Sequence, residues 1–269
     1  MINVRAPATT ANVGPAFDCA AIALELWNEL DVTEGGEPPD PEHLGVRAFS
    51  LVASPDGLSF RFGDAIPRAR GLGSSAAVIA LGLVAACRVT GRDADPEELL
   101  ALGLPLEGHA DNLAACLAGG VCLTWEGRIA RVADGVPAVP IAVVPEEEVE
   151  TAAARAALPD TVPHADAAFT AGRAALLGAA LASGDPGLFA AALADRLHEP
   201  YRAAAAPHFA ELRDEPPGGA LGVTISGSGP TVIVWALEAA AETCRAELEA
   251  RLPDTDALLL AVAGHGALG

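Results

Sequence analysis

Apolar and polar positions along the chain lay out its elements before any chemistry is considered. Residues 2–7 alternate weakly and stop at Pro7, which predicts a short strand. PATTANVGPAFD (7–18) is polar and broken by glycine and proline, hence a loop. CAAIALELWNELDVTE (19–34) reads as a longer strand, and GGEPPDPEH (35–43) as a surface turn. Between Ala48 and Phe62 a helical piece gives way to Pro-Asp-Gly and then to the alternating LSFRF, a strand after a turn. The clearest helix is Ser74–Val89, with Ser74 and Ser75 at its start and Gly91 just past its end. Asp95 and Pro96 open another as N-cap and first-turn proline. EGHADNLAACLAGG (107–120) is a loop entering a helix that Gly119 and Gly120 stop. VCLTW and RIARVA flank Glu126-Gly127 as a hairpin.

AVPIAVVP (138–145) predicts a buried strand. DAAFTAGRAALLGAALASGD and PGLFAAALADRLHEP predict two helices joined at Gly184-Asp185-Pro186. ALGVTISGSGPTVIVWAL (220–237) is a strand, a glycine turn and a strand; EAAAETCRAELEARL is a helix, and ALLLAVA a closing strand. This mixture predicts an α+β fold in two domains, 1–137 and 138–269, rather than a strict alternation of strand and helix.

Composition narrows the picture. Half of the 269 residues are hydrophobic and few are aromatic, so the core must be close-packed Ala, Val and Leu. There is no lysine: sixteen arginines stand against 36 Asp and Glu, for a net charge of -20. That excludes nucleic acid or an anionic membrane surface as the main partner. No apolar run approaches the roughly 20 residues of a membrane-spanning helix. The N-terminus MINVRAPATT lacks a basic-then-apolar export signal, so a cytoplasmic location is expected. The five cysteines are scattered, with no CxxC, as expected of buried thiols rather than a metal centre or disulfides.

Three stretches carry candidate chemistry. In PRARGLGSSAA (67–77), Gly71 and Gly73 permit positive φ and close backbone approach. The helix behind offers unpaired N–H groups to an anion, and Ser74 and Ser75 add hydroxyls. The same letters also describe a plain capped helix. The stretch is not a Walker A loop, which needs a lysine, nor a dinucleotide fingerprint, which needs a third glycine. EGHADN (107–112) crowds Glu107, His109, Asp111 and Asn112 beside an apolar helix, as either a ligand-binding or a capping loop. SGSGP (226–230) is either a hairpin turn or a place where backbone comes close to something else.

PATTANVGPAFD, IPRARGLGSSAA, EGHADN and ISGSGPTV, in this order over nearly the whole chain, resemble the GHMP kinase superfamily. TANVGPAFD, EGHADN and DRLHEPYR (195–202) are most similar to its homoserine-phosphorylating branch, rather than to the mevalonate or sugar kinases. The resemblance implies a two-domain GHMP kinase fold. Its N-terminal domain is like domain 2 of ribosomal protein S5 and its C-terminal domain is ferredoxin-like, with the site between them. It implies transfer of the γ-phosphoryl of ATP to the hydroxyl of L-homoserine, with Mg²⁺ and, as is common in the family, a homodimer. By the same resemblance Pro67, Arg68, Ala69, Arg70, Gly71, Leu72, Gly73, Ser74, Ser75, Ala76 and Ala77 wrap the phosphates, and Ser75 (or Ser74) and Glu107 hold the metal. Asn12, Asp18, His109, Asn112, Arg155 and Arg202 face the amino acid, Asp18 toward its ammonium and the arginines toward its carboxylate or the transferred phosphoryl. Asn112 stands where the sugar and mevalonate kinases place an aspartate base, with Asp111 beside it. The implied expectation is that no side-chain base is essential. Ala16 replaces a frequent family glycine and Glu150 a usual serine. Two other readings remain open at this point: a different alcohol as acceptor, mevalonate-like, or a non-catalytic nucleotide-binding regulator.

Overall fold

The structure is a computed structural model that describes residues 1–269. Its first sheet is built on β1 (Ile2–Ala11) and β2 (Ala20–Glu34), an antiparallel pair. β1 runs past Pro7 into Ala8–Ala11, the beginning of the stretch expected as loop. Proline is tolerated there because the register shifts between Pro7 and Ala8, and a residue without N–H costs little at a bulge.

The other edge of β2 is shared. β3 (Leu58–Gly63) pairs with its end and β4 (Val121–Trp125) with its beginning; β5 (Arg128–Ala133) completes the hairpin with β4. The gap between β3 and β4 is filled from the far end of the chain. Val262 bridges Leu24, Glu25 N–H donates to Ala261 O (2.9 Å), and Ala263 N–H donates to Ala23 O (2.9 Å).

Four helices follow within this half: α1 (Leu44–Ser50), α2 (Ser74–Thr90), α3 (Pro96–Glu107) and α4 (Ala110–Ala118). α1 starts ahead of the expected Ala48 because His43 caps it, its Nδ1 accepting Gly45 N–H at 3.2 Å. α2 is buried at every position from Ala76 to Cys87, as a helix apolar all round must be.

The second sheet holds β6 (Val139–Pro145), β7 (Ala220–Ile225), β8 (Val232–Ala236) and β9 (Thr255–Leu259), all antiparallel in the order β7-β8-β6-β9. This is the ferredoxin-like arrangement. Between β6 and β7 lie α5 (Thr151–Ala156), α6 (His164–Ser183), α7 (Pro186–Ala192), α8 (Glu199–Arg202) and α9 (Phe209–Asp214); α10 (Ala241–Arg251) precedes β9.

Two expectations need correction. α7 does not continue through ADRLHEP. The Asp195 carboxylate accepts the N–H groups of Leu197, His198 and Glu199 and turns the chain. The closing strand ends at Leu259, not Ala263, because the chain leaves the second sheet there for β2. The largest buried cluster joins Val4, Ile22 and Leu81 to Ala142, Phe189 and Trp235, so the two sheets share one core. All five cysteines are free, and four are buried. No helix is long and apolar enough to cross a membrane.

Candidate active site

A cleft between the two halves is lined on one wall by Ala69, Arg70, Gly71, Gly73, Ser74 and Ser75. Facing them are Asp18, Glu107, His109, Asp111, Asn112, Arg155 and Arg202.

The glycines of the first wall are demanded by close approach. Gly71 has φ 75°, and a Cβ there would lie 2.3 Å from Ser226 O; at Gly73 (φ 68°) it would lie 1.9 Å from Thr9 Oγ1. The loop is therefore clamped between β1 and the β7–β8 turn. Thr9 N–H donates to Leu72 O (3.0 Å), and Ser226 Oγ sits within hydrogen-bonding distance of Gly71 O (2.7 Å) and Thr10 Oγ1 (2.9 Å). Gly73 is the N-cap of α2 and has no side chain to satisfy the first N–H groups, so they stay free for an anion.

Not every loop residue reaches the cleft with its side chain. Leu72, Ala76 and Ala77 are buried in the core and can offer backbone only. Pro67 lines a separate shallow groove, and exposed Arg68 pairs with Asp64. Arg70 lines the cleft, but its guanidinium is engaged. It donates to Pro145 O (2.9 Å), Arg68 O (3.1 Å) and Glu146 O, and pairs with Glu148 (3.0 Å). It ties the loop to the segment that leads into α5, where the wrapping reading had assigned it to phosphate.

At the cleft edge Ser75 Oγ donates to Glu107 Oε2 at 2.7 Å. Ser75, not Ser74, is the serine brought to Glu107. Burial, opposed by the Ser75 bond and aided by Asp111, pushes the Glu107 carboxyl up to about 7. The pair is an oxygen-only donor set, which suits Mg²⁺. No three His, Cys, Asp or Glu side chains gather as a metal centre, so an ion here would take its other ligands from phosphate and water.

Asp111 is buried, and burial pushes it up to about 6. Its Oδ1 accepts Asn112 N–H (2.7 Å) and Asn112 Nδ2–H (3.3 Å). Asn112 Oδ1 accepts the Thr9 hydroxyl at 2.7 Å.

Arg155, on α5, spans the opening. Its Nη2 donates to both oxygens of Asp18 (2.7 and 2.8 Å) and its Nε to His109 Nε2 (2.6 Å). The His109 ring must accept at Nε2, so it is neutral; burial and the neighbouring Arg155 lower its pKa. Asn12 does not face the cleft. It is buried, accepting Asp18 N–H (3.0 Å) and donating to Gly227 O (2.9 Å), so it shapes the turn that presents Asp18. Arg202, buried on α8, donates to the same Gly227 O (2.9 Å); burial lowers its pKa. Ala16 is not among the positive-φ residues of this turn, so a side chain there carries no strain.

Residues 43–120 match the family model described as GHMP kinases N terminal domain, and residues 177–254 that described as GHMP kinases C terminal. The homoserine kinase of Streptomyces avermitilis is 44% identical, over 90% of this chain and 87% of that protein. The chain belongs to the homoserine kinases of the GHMP kinase superfamily. The homoserine kinase of Gloeobacter violaceus is 38% identical over 93% of each chain. The crystal structure of the homoserine kinase from Cytophaga hutchinsonii superposes with TM-score 0.87 at 26% identity, over 98% of this chain and 96% of that one. A mevalonate kinase from Methanococcus jannaschii, at 13% identity and TM-score 0.73 over 97% and 98%, shares the fold.

Several residues of this GHMP kinase site escape a reading of motifs. Thr9 and Thr10 lie inside the predicted loop, and nothing in that reading announced that they sit on β1. Asn28, wholly buried on β2, accepts Ala65 and Ile66 N–H (2.8 and 2.9 Å) at the entry to the phosphate loop. Within DRLHEPYR, the His198 ring bonds Gly14 O (2.7 Å) and Glu199 accepts Ile225 N–H (2.9 Å). That stretch ties the turn at Gly14 to the end of β7, which no local spacing announces.

Proposed function

We propose that this protein transfers the γ-phosphoryl group of ATP to the side-chain hydroxyl of L-homoserine. One observation carries the reading: a single cleft sets an anion-receiving helix end opposite a cationic and acidic pair suited to a zwitterion. The free N–H groups of α2 and the loop 67–77 hold the triphosphate. Ser75 and Glu107 hold Mg²⁺, which when bound neutralises charge developing on the phosphoryl oxygens. The dipole of α2 supplies positive charge that a lysine would otherwise bring.

On the acceptor side Arg155 and Arg202 take the carboxylate, Asp18 the ammonium, and His109 orients Arg155. Asn112 meets the attacking hydroxyl. Its Oδ1 is committed to Thr9, so it offers N–H and orients the nucleophile without removing a proton. Asp111 holds Asn112 and takes no proton in the transfer. Asp18 favours an amino acid over mevalonate, which has a carboxylate but no ammonium.

The division of the chain at 137/138 is supported by the break between β5 and β6. A cytoplasmic homodimer is the assembly that goes with the family. The test is ADP release with homoserine against serine, threonine and mevalonate. Turnover is expected with homoserine alone at low concentration; phosphorylation of mevalonate and not homoserine overturns the reading.

A further inference from the structure

The turn that presents Asp18 holds three of the five non-glycine residues with positive φ. Asn12 (φ 72°), Val13 (φ 42°) and Asp18 (φ 57°) all occupy the left-handed region, which a β-branched residue such as valine avoids. Between Val13 and Asp18 the turn places one aromatic ring, half-buried Phe17.

Phe17 has three partners. The wholly buried His198 ring stacks on it, with centroids 5.1 Å apart and planes at 22°. The Arg202 guanidinium carbon lies 5.0 Å from the ring centroid and that of Arg155 lies 5.6 Å from it. Two guanidinium groups that repel one another thus meet over the same ring. His198 is itself fixed through Gly14 O, with the Asp195 carboxylate 3.6 Å from its Nε2 and its Nδ1 without a hydrogen-bond partner. Of the counter-charges near the two arginines, only Asp18 is bonded to either, and it serves Arg155. Arg202 has a buried Nε with no partner.

We propose that Phe17 is a positioning residue: its ring, backed by His198, is the platform that holds Arg155 and Arg202 at the spacing needed to share one carboxylate of the acceptor. The inference rests on the reading that these arginines bind that carboxylate. A ring suits the task because its face attracts both cations while adding no anion to compete with the ligand. Asp18 already pairs with Arg155, and where a second acidic residue would neutralise Arg202 before the acceptor arrived, Phe17 leaves that charge available. An aliphatic side chain would fill the same space without holding either guanidinium.

The experiment compares Phe17→Leu with Phe17→Tyr. Loss of two cation–π contacts in Phe17→Leu should raise KM for homoserine about tenfold, with kcat and KM for ATP little changed. Phe17→Tyr should keep the wild-type KM. A Phe17→Leu enzyme with wild-type KM for homoserine overturns the proposal, as does an equal rise in both KM values, which would mean a general loosening. Should Phe17→Leu not fold by thermal melting, Phe17→Met, of similar reach and without a ring, replaces it under the same criteria. If the wild-type protein fails to phosphorylate homoserine at all, the parent reading fails. The platform is then read by phenylglyoxal modification of Arg155 and Arg202, mapped by mass spectrometry. Faster modification of both in Phe17→Leu supports it, and unchanged rates overturn it.

Discussion

Glu107 must be a carboxylate to hold a cation, yet its surroundings favour the protonated form up to about 7. The sign follows: raising the pH through that value creates the anion. Activity at limiting Mg²⁺ should therefore climb between about pH 6 and 8 and then level, and saturating Mg²⁺ should shift the rise to lower pH. Glu107→Gln should lose the climb and at least about a hundredfold in kcat, with little change in thermal stability. Steady-state rates across pH at two metal concentrations check both. For Asp111→Asn, turnover should stay within about tenfold of wild type, because an amide oxygen can still accept the Asn112 N–H. A fall of several orders of magnitude would make Asp111 the base. Single-letter chemistry was readable here. EGHADN named Glu107, His109, Asp111 and Asn112, all of which line the cleft. Thr9, which fixes Asn112, and Asn28, which holds the entry to the phosphate loop, were hidden, because a buried hydroxyl or amide inside a strand looks like any other polar position.

At the scale of elements, the phosphate loop depends on an approach that only glycine permits. Gly71→Ala puts a methyl group against Ser226 O and strains φ, so it should lower the melting temperature and raise KM for ATP more than KM for homoserine. α5 is the opposite case, an element short of support. Its N-cap, Glu150, makes no side-chain cap bond. Glu150→Ser should stabilise α5 by about 0.5–1 kcal/mol and lower KM for homoserine through Arg155, as denaturant melts and kinetics would show. α3 behind Asp95-Pro96 and the end of α2 at Gly91 were legible because caps and breakers act locally, whereas the cap of α2 is Gly73 and the two serines expected there lie inside the helix. α7 was overextended for the complementary reason. Asp195 stops the chain by capturing three N–H groups downstream, and an aspartate in an alanine-rich run does not reveal where it will fold back.

Across the whole molecule, one buried carboxyl weighs on stability in a way the net charge of -20 does not disclose. Glu199 is buried between the sheets' loops, and burial pushes it up to about 8. Its folded value lies above its unfolded one, so the proton it keeps favours the native state at low pH. That advantage disappears as the pH rises from about 4.5 to about 8. Glu199→Gln, which can still accept the Ile225 N–H, should flatten this decline and melt higher than wild type at pH 8, each 1 kcal/mol appearing as about 2–4 °C. Scanning calorimetry at pH 6 and 8 would decide it. The closing segment Ala261–Ala263 bears on how the chain comes into being. Its slot on β2 lies between β3 and β4, so the first sheet keeps a bare edge until residues 261–263 have been made and have docked. A nascent or truncated chain ending at β9 would expose that edge to any neighbouring strand. Residues 261–263 thus act as the sheet's own protection against aggregation.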